Sequence, residues 1–175
     1  MPGRAKSRVN DFVIRLANVN GTGSASANGL LMKVIFRMGI PVMGKNFFPS
    51  NIQGLPTWYE IRVTKDGNLA RSGEIDIMVA MNAETYQQDL KSLSPGGVLI
   101  YDSTWPRNSV LTRQDVTILG VPLAKICNER FSDARTRILM KNMAYLGTLA
   151  ALLDLDRQVI KNLVEETFSS KQALI

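Results

Sequence analysis

Small residues dominate the segment 18–29, which follows an apolar stretch and precedes a helical pattern of apolar residues. Gly21 and Gly23 carry no side chain, so another molecule can approach the main chain closely at this turn. A helix that begins at such a turn directs unpaired N–H groups and the positive end of its dipole outward, which favours a phosphate or a carboxylate. The candidate anion-binding residues are Asn20, Gly21, Thr22, Gly23 and Ser24.

A nicotinamide dinucleotide does not fit this turn well. Ser26 stands where the third glycine of the dinucleotide fingerprint is expected. The acidic residue that would bind the ribose hydroxyls is also missing, because no Asp or Glu lies between Phe12 and Tyr59. The charged residues of this segment are Arg15, Lys33, Arg37 and Lys45. These features favour another phosphate-bearing ligand, but the small residues could equally serve only to let a strand and a helix pack closely.

The length and composition of the chain predict one globular domain. Of its 175 residues 45% are hydrophobic, which is enough for a single core. We assign residues 11–175 to this domain and residues 1–10 to a flexible N-terminus. The net charge of +6 is spread along the chain without a basic run, so nucleic-acid binding is not expected. No apolar stretch approaches the roughly 20 residues of a membrane span, and no signal peptide is recognisable, so we expect a cytoplasmic protein without a membrane contact.

The chain contains no histidine and one cysteine, Cys127. The usual general base and the histidine-containing catalytic triads are therefore excluded. A zinc or iron–sulfur site built from this chain alone is not expected either. If the protein belongs to an enzyme, we expect the reactive groups to lie in other domains or subunits.

The order of predicted elements indicates an α/β fold with three layers, α/β/α, around a mainly parallel, mixed sheet of the Rossmann-like kind. Strands are predicted at 12–17, 40–43, 58–64, 75–81, 98–102 and 116–121. Helices are predicted at 30–38, 83–93, 122–127, 133–153 and 156–168. The strand at 58–64 is the expected antiparallel exception, and Asp66-Gly67 predicts a hairpin after it.

Several motifs occur in an order that resembles one protein family. They are VNGTGSASANGLL at the first strand, SNIQG before the alternating strand, LKSLSPGGVLIYDST, VPLAKICNERF and KNMAYLGTLAALLDL. In this order they are similar to the gamma subunit, or gamma domain, of the 2-oxoacid:ferredoxin oxidoreductases. The chain looks most like the N-terminal gamma domain of the 2-oxoglutarate:ferredoxin oxidoreductase alpha subunit, where a thiamine-diphosphate-binding region follows in the same polypeptide.

The resemblance implies a supporting role in the coenzyme A-dependent oxidative decarboxylation of a 2-oxoacid, of the 2-oxoglutarate or pyruvate type, with electrons passed to ferredoxin. Thiamine diphosphate and iron–sulfur clusters would be held by partner domains, among them the thiamine-binding alpha and beta parts of the complex. A phosphate of coenzyme A (CoA) would bind at the glycine turn, 20–24, and a second loop would line its approach. The residues of that second loop are Ser50, Gln53 and Gly54.

Two functions of other classes remain open on the sequence. A free-standing nucleotide-binding or CoA-binding module would use the same turn for its ligand. A purely structural interaction domain would use the glycines only for packing. In the leading interpretation, the chain alone is expected to show no 2-oxoacid oxidation.

Overall fold

The computed structural model describes residues 9–49, 52–68, 70, 73–105 and 112–169, which form a six-stranded sheet and five helices. The strands are β1 (Asp11–Val19), β2 (Val42–Phe47), β3 (Pro56–Thr64), β4 (Ile77–Ala80), β5 (Val98–Asp102) and β6 (Thr117–Val121). The helices are α1 (Ser24–Arg37), α2 (Tyr86–Ser92), α3 (Leu123–Arg130), α4 (Ala134–Leu152) and α5 (Arg157–Phe168). The predicted α/β fold is confirmed.

The sheet is mixed and has the strand order β2-β3-β1-β4-β5-β6. The neighbouring strands β1, β4, β5 and β6 run parallel to one another. β3 runs antiparallel to both of its neighbours, β1 and β2. Among the described strands, β3 is therefore the one that runs against the others, as the sequence predicts for 58–64. β1 lies inside the sheet between β3 and β4, so its apolar residues are buried on both faces, as Ile14 and Ala17 illustrate.

Helices cover the two faces of the sheet unequally, within the predicted three layers. On one face, α1, α3, α4 and α5 bury apolar side chains against the sheet. This core includes Ile14, Leu16, Leu31, Leu123, Leu149 and Leu163. On the opposite face, Tyr86 and Leu90 of α2 pack against Met78 and Leu99.

Two helices begin more than one residue away from the predicted start. α1 begins at Ser24 rather than at residue 30, because its first turn is built from small residues that a search for apolar periodicity does not detect. α2 begins at Tyr86 rather than at residue 83. The residues before it form a turn in which the Asn82 side-chain oxygen accepts a hydrogen bond from the Glu84 N–H at 3.0 Å.

The predicted hairpin at Asp66-Gly67 is wrong. Gly67 does adopt a positive φ of 71°, as a turn requires, but the next strand, β4, does not pair with β3. Both edges of β3 are already occupied, by β1 on one side and β2 on the other. The chain therefore crosses to the far side of β1, where β4 pairs in parallel with it.

A buried polar cluster lies where α2 meets β3. The Asp89 carboxylate, 1% exposed, accepts hydrogen bonds from Trp58 Nε1 at 2.8 Å and from Thr85 Oγ1 at 2.6 Å. Burial raises the pKa of Asp89 above its ordinary value, although both hydrogen bonds and the charge of Arg15 oppose this. The folded protein therefore holds a proton on Asp89 more tightly than the unfolded chain does.

Asp89 should make the folded state less stable as the pH rises. Because the folded-state pKa is raised, the stabilising effect of the protonated carboxyl is complete below the unfolded-state pKa of about 4 and is lost as the pH rises through the folded-state pKa. Asp89→Asn should remove this dependence, since its amide oxygen still accepts from Trp58 and the Thr85 hydroxyl can rotate to accept. Urea unfolding of both proteins from about pH 4 to 7 tests this. A wild type that gains stability relative to the variant over that range would contradict it.

Leu149→Ala should lower the free energy of unfolding by about 2–5 kcal/mol, because Leu149 is fully buried in the core beneath α4. Leu152→Ala is the matched control, as it makes the same change in the same helix at a side chain that is 40% exposed. Its cost should stay below about 1 kcal/mol. Denaturant titration of the two variants measures the difference, and equal losses would show that α4 is not docked through this face.

Candidate functional site

The glycine turn lies at the carboxyl end of β1, at the point where the sheet topology divides. From β1 the chain passes through α1 to the β2 and β3 side of the sheet, whereas from β4 it passes through α2 to the β5 side. β1 and β4 are neighbours. In open α/β sheets, the crevice at such a switch point is where ligands usually bind.

Asn20 joins the glycine turn to the loop before β3. Its N–H donates to the Leu55 carbonyl at 2.9 Å, and its carbonyl accepts from the Gly54 N–H at 3.0 Å. Its side-chain Nδ2 donates to the Ile52 carbonyl at 3.1 Å. The structure thus brings Gln53 and Gly54, predicted for a second loop, beside the predicted turn. Ser50, the remaining predicted residue, lies outside the described residues.

The main chain at Gly21 and Gly23 has a conformation that favours glycine, with φ of 86° and 78°. Both glycines are solvent-exposed, so the turn is not sealed beneath its own side chains. Their other sides are supported: a Cβ on Gly21 would lie 2.5 Å from Cγ of Gln53, and one on Gly23 would collide with Leu139. The positive φ therefore favours glycine at both positions, and an added side chain would also have to displace Gln53 or Leu139.

The first turn of α1 offers main-chain donors. Gly23 caps the helix, and no side chain among the described residues accepts a hydrogen bond from its first N–H groups. The first turn also contains no acidic residue. The positive end of the α1 dipole is therefore not neutralised by a carboxylate.

A cleft of about 310 Å³ opens beside the turn, and we call it the neutral cleft because no charged residue is among those that line it. The lining residues are Asn20, Gly21, Gly23, Ser24, Ala25, Asn28, Asn46, Phe48, Thr57, Trp58 and Tyr59. Its volume is at the lower end of the range of about 300–1,000 Å³ for small-molecule sites. The cleft can therefore hold a phosphate group and its neighbouring atoms, but only part of a molecule as large as CoA.

The neutral cleft is not lined by any of the charged residues between Phe12 and Tyr59, which are Arg15, Lys33, Arg37 and Lys45. Arg15 forms an ion pair with the buried Glu60 at 2.7 Å, with Arg15 on β1 directly opposite Glu60 on β3. Arg37, at the far end of α1, pairs with Glu166 at 2.7 Å. Lys45 lies over the ring of Phe47. The lining of the cleft therefore offers an anion main-chain dipoles and neutral polar groups rather than side-chain charges.

A chain of buried polar side chains supports the turn, and the sequence reasoning missed it. Tyr145 donates its hydroxyl to Oδ1 of Asn28 at 2.7 Å, and Nδ2 of Asn28 donates to Oδ1 of Asn18 at 3.3 Å. Asn142 donates to the Thr22 carbonyl at 2.8 Å. Burial raises the pKa of Tyr145, so its hydroxyl remains a donor. In the sequence, these polar contacts could have been suspected from Asn28 and Asn142, because each is an asparagine on an otherwise apolar helix face.

The described residues offer little for metal or thiol chemistry. Within the described ranges, no group of three or more Cys, Asp or Glu side chains is arranged to hold a metal ion. Cys127 is buried, and burial raises the pKa of its thiol, which disfavours the reactive thiolate. None of the helices in the described part of the chain has both the length and the apolar character to cross a membrane.

The sequence matches the family described as pyruvate ferredoxin/flavodoxin oxidoreductase over residues 13–175. The chain belongs to this family. A relative of this chain is the alpha subunit of 2-oxoacid:ferredoxin oxidoreductase 2 from Aeropyrum pernix, which is 28% identical over 92 residues. That alignment covers 53% of this chain but 14% of the relative, so the matched region is a small part of that subunit.

Solved members of the oxidoreductase family have the same fold. A 2-oxoglutarate:ferredoxin oxidoreductase from Magnetococcus marinus, solved with 2-oxoglutarate, CoA and succinyl-CoA bound, superposes with a TM-score of 0.81 at 24% identity, over 94% of this chain and 28% of that one. The pyruvate oxidoreductase subunit PORC from Thermotoga maritima superposes with a TM-score of 0.71 at 19% identity. This superposition covers 91% of this chain and 86% of PORC. A gamma subunit of a keto/oxoacid ferredoxin oxidoreductase from Geobacter sulfurreducens superposes with a TM-score of 0.66 at 18% identity. This superposition covers 90% of this chain and 89% of that subunit. At these low identities, the likeness establishes the fold.

Gly23→Ala should lower the free energy of unfolding by about 1–3 kcal/mol, because its φ of 78° is unfavourable for alanine and its Cβ would collide with Leu139. The matched control is Gly29→Ala, within α1, where an added Cβ meets no atom within 4 Å. That change should raise the stability by about 0.5–1 kcal/mol, since alanine favours the helix. Thermal and urea unfolding report both effects. If the two variants were equally stable, the turn would not have the described conformation.

Proposed function

We propose that this chain is the gamma domain of a 2-oxoacid:ferredoxin oxidoreductase and that it supplies a binding surface rather than reactive groups. The observation that carries the proposal is a bare main-chain turn at the switch point of the sheet, in a chain that belongs to this oxidoreductase family. The reaction supported would be the CoA-dependent oxidative decarboxylation of a 2-oxoacid to its acyl-CoA. The substrate would be of the 2-oxoglutarate or pyruvate type.

The ligand of the turn is proposed to be a phosphate of CoA. The N–H groups at the start of α1 and the exposed main chain of Gly21 and Gly23 suit an anion, and no carboxylate lines the neutral cleft. Asn20, Thr22 and Ser24 complete the turn, and Gln53 and Gly54 lie beside it in the adjoining loop. The family resemblance implies the same role for Ser50. CoA is larger than the cleft, so the rest of the molecule would lie against a partner.

Exposed apolar side chains at the edge of the cleft support a partner at this place. Phe48, Ile52 and Leu55 are 52%, 64% and 38% exposed, and they lie in the segment that connects β2 to β3. Large apolar side chains grouped on a surface are typical of a protein interface. We propose that the thiamine-binding alpha and beta parts of the complex cover them and close the CoA channel.

The remaining cofactors are assigned to those partners. Among the described residues no group of Cys, Asp or Glu side chains is arranged to hold a metal ion, and iron–sulfur clusters need cysteine thiolates, whereas the chain's single cysteine is buried. Electrons would pass to ferredoxin through the partners. Residues 11–175 would form one gamma-type domain, as a separate subunit or as the N-terminal part of a longer chain, in the cytoplasm.

Gly23→Leu should weaken CoA binding by at least about tenfold in the assembled complex, because leucine disfavours the positive φ and would collide with Leu139, so the turn could not keep the conformation that presents its main-chain donors. Isothermal titration with CoA measures the affinity. Gly29→Ala, which alters α1 without touching the turn, is the control and should bind CoA as the wild type does. Unchanged CoA affinity in Gly23→Leu would end the assignment of the turn as the CoA phosphate site.

Two measurements separate this proposal from the other two functions. Tight CoA binding by the chain without partners would favour a free-standing binding module. If CoA does not bind and the chain still assembles with thiamine-binding partners, a structural interaction domain is favoured. In the proposed role, the chain without its partners shows no 2-oxoacid oxidation, so turnover by it would contradict the assignment of the reactive groups to partners.

A further inference from the structure

Asn142 links α4 to the glycine turn, although the two are far apart in the sequence. Its side chain is 4% exposed, and its Nδ2 donates a hydrogen bond to the Thr22 carbonyl oxygen at 2.8 Å. Nearby residues of α4, including Leu146 and Leu149, belong to the apolar core. A polar side chain buried in such surroundings needs a hydrogen-bond partner. Asn142 obtains one from the main chain of the turn.

The hydrogen bond from Asn142 decides which way the Thr22-Gly23 peptide faces. This peptide bond is trans, so its C=O and N–H point in opposite directions. With the carbonyl held toward α4, the Gly23 N–H points away from α4. Gly23 lies between a small cavity of about 150 Å³ beside α4 and the neutral cleft. The Gly23 N–H therefore faces away from the cavity beside α4, and Gly23 also lines the neutral cleft.

The reverse orientation of the same peptide would be unsuitable for an anion. A flip would turn the Thr22 carbonyl oxygen toward the cleft, where it would repel a phosphate, and would withdraw one N–H donor. Gly21 and Gly23 flank Thr22, and glycine main chains adopt both orientations readily. A contact from outside the turn can therefore select one orientation.

We infer that Asn142 is a positioning residue for the anion-binding turn, which holds the Thr22-Gly23 peptide so that the Gly23 N–H is available to a phosphate of CoA. This inference rests on the proposed function. Asn142 acts through the main chain and does not itself contact the ligand. α4 is held against the turn and α1 by two further contacts, from Leu139 to Gly23 and from Tyr145 to Asn28.

The test is the CoA affinity of the assembled oxidoreductase, measured by isothermal titration. Asn142→Leu keeps the side-chain volume but removes the donor, and it should weaken binding roughly tenfold. Asn142→Asp keeps the shape but can only accept, so it should repel the Thr22 carbonyl and weaken binding further. Thr148→Val is the matched control, because it removes the hydrogen bond from Thr148 Oγ1 to the Ala144 carbonyl in the same helix without touching the turn. Its CoA affinity should equal that of the wild type.

Steady-state kinetics separate positioning from a general loss of structure. In Asn142→Leu the KM for CoA should rise roughly tenfold, while kcat at saturating CoA and the KM for the 2-oxoacid stay at wild-type values. If both Asn142 variants bind CoA as the wild type does while Gly23→Leu does not, the positioning role is wrong and the proposed site stands. If Gly23→Leu also binds CoA normally, both the site and the positioning role are wrong.

Discussion

The hydrogen bonds that hold the glycine turn from both sides are the interactions on which the site depends. On one side, Asn20 exchanges main-chain hydrogen bonds with Gly54 and Leu55. On the other side, Nδ2 of Asn142 donates a hydrogen bond to the Thr22 carbonyl oxygen. Between these two attachments the chain carries positive φ values at Gly21 and Gly23, so the main chain is both exposed and fixed in direction. An ordered, bare main chain loses little conformational entropy when it binds a ligand.

The electrostatics of this site differ from those of a site built on lysine and arginine. The neutral cleft is lined by uncharged residues, and Arg15 of β1 is engaged in an ion pair with Glu60. A helix N-terminus provides about half an elementary charge, which suits one phosphate group and gives less long-range attraction than a cluster of cations. In the proposed complex, any further charge that CoA requires would come from a partner.

The unequal cover of the two sheet faces explains how α4 reaches the turn. α1, α3, α4 and α5 share one apolar core on a single face, so a helix from the last third of the chain packs against the start of α1. The opposite face carries α2 and the buried cluster around Asp89. The conformation of the turn thus depends on how α4 packs on its face of the sheet. On the other face, burial raises the pKa of Asp89, so the stability contributed by its cluster should depend on pH.

The sequence by itself determined the α/β class, most of the strands and helices, the bare glycine turn and the absence of histidine chemistry, because apolar periodicity and residue type are local properties of a chain. The tertiary structure alone decided the strand order, which replaced the predicted hairpin after β3 by a crossover to β4. It also decided that Gln53 and Gly54 lie beside Asn20, and that Asn142 holds Thr22. These contacts join residues that are distant in sequence, and no local pattern specifies which buried asparagine meets which carbonyl until the core has packed.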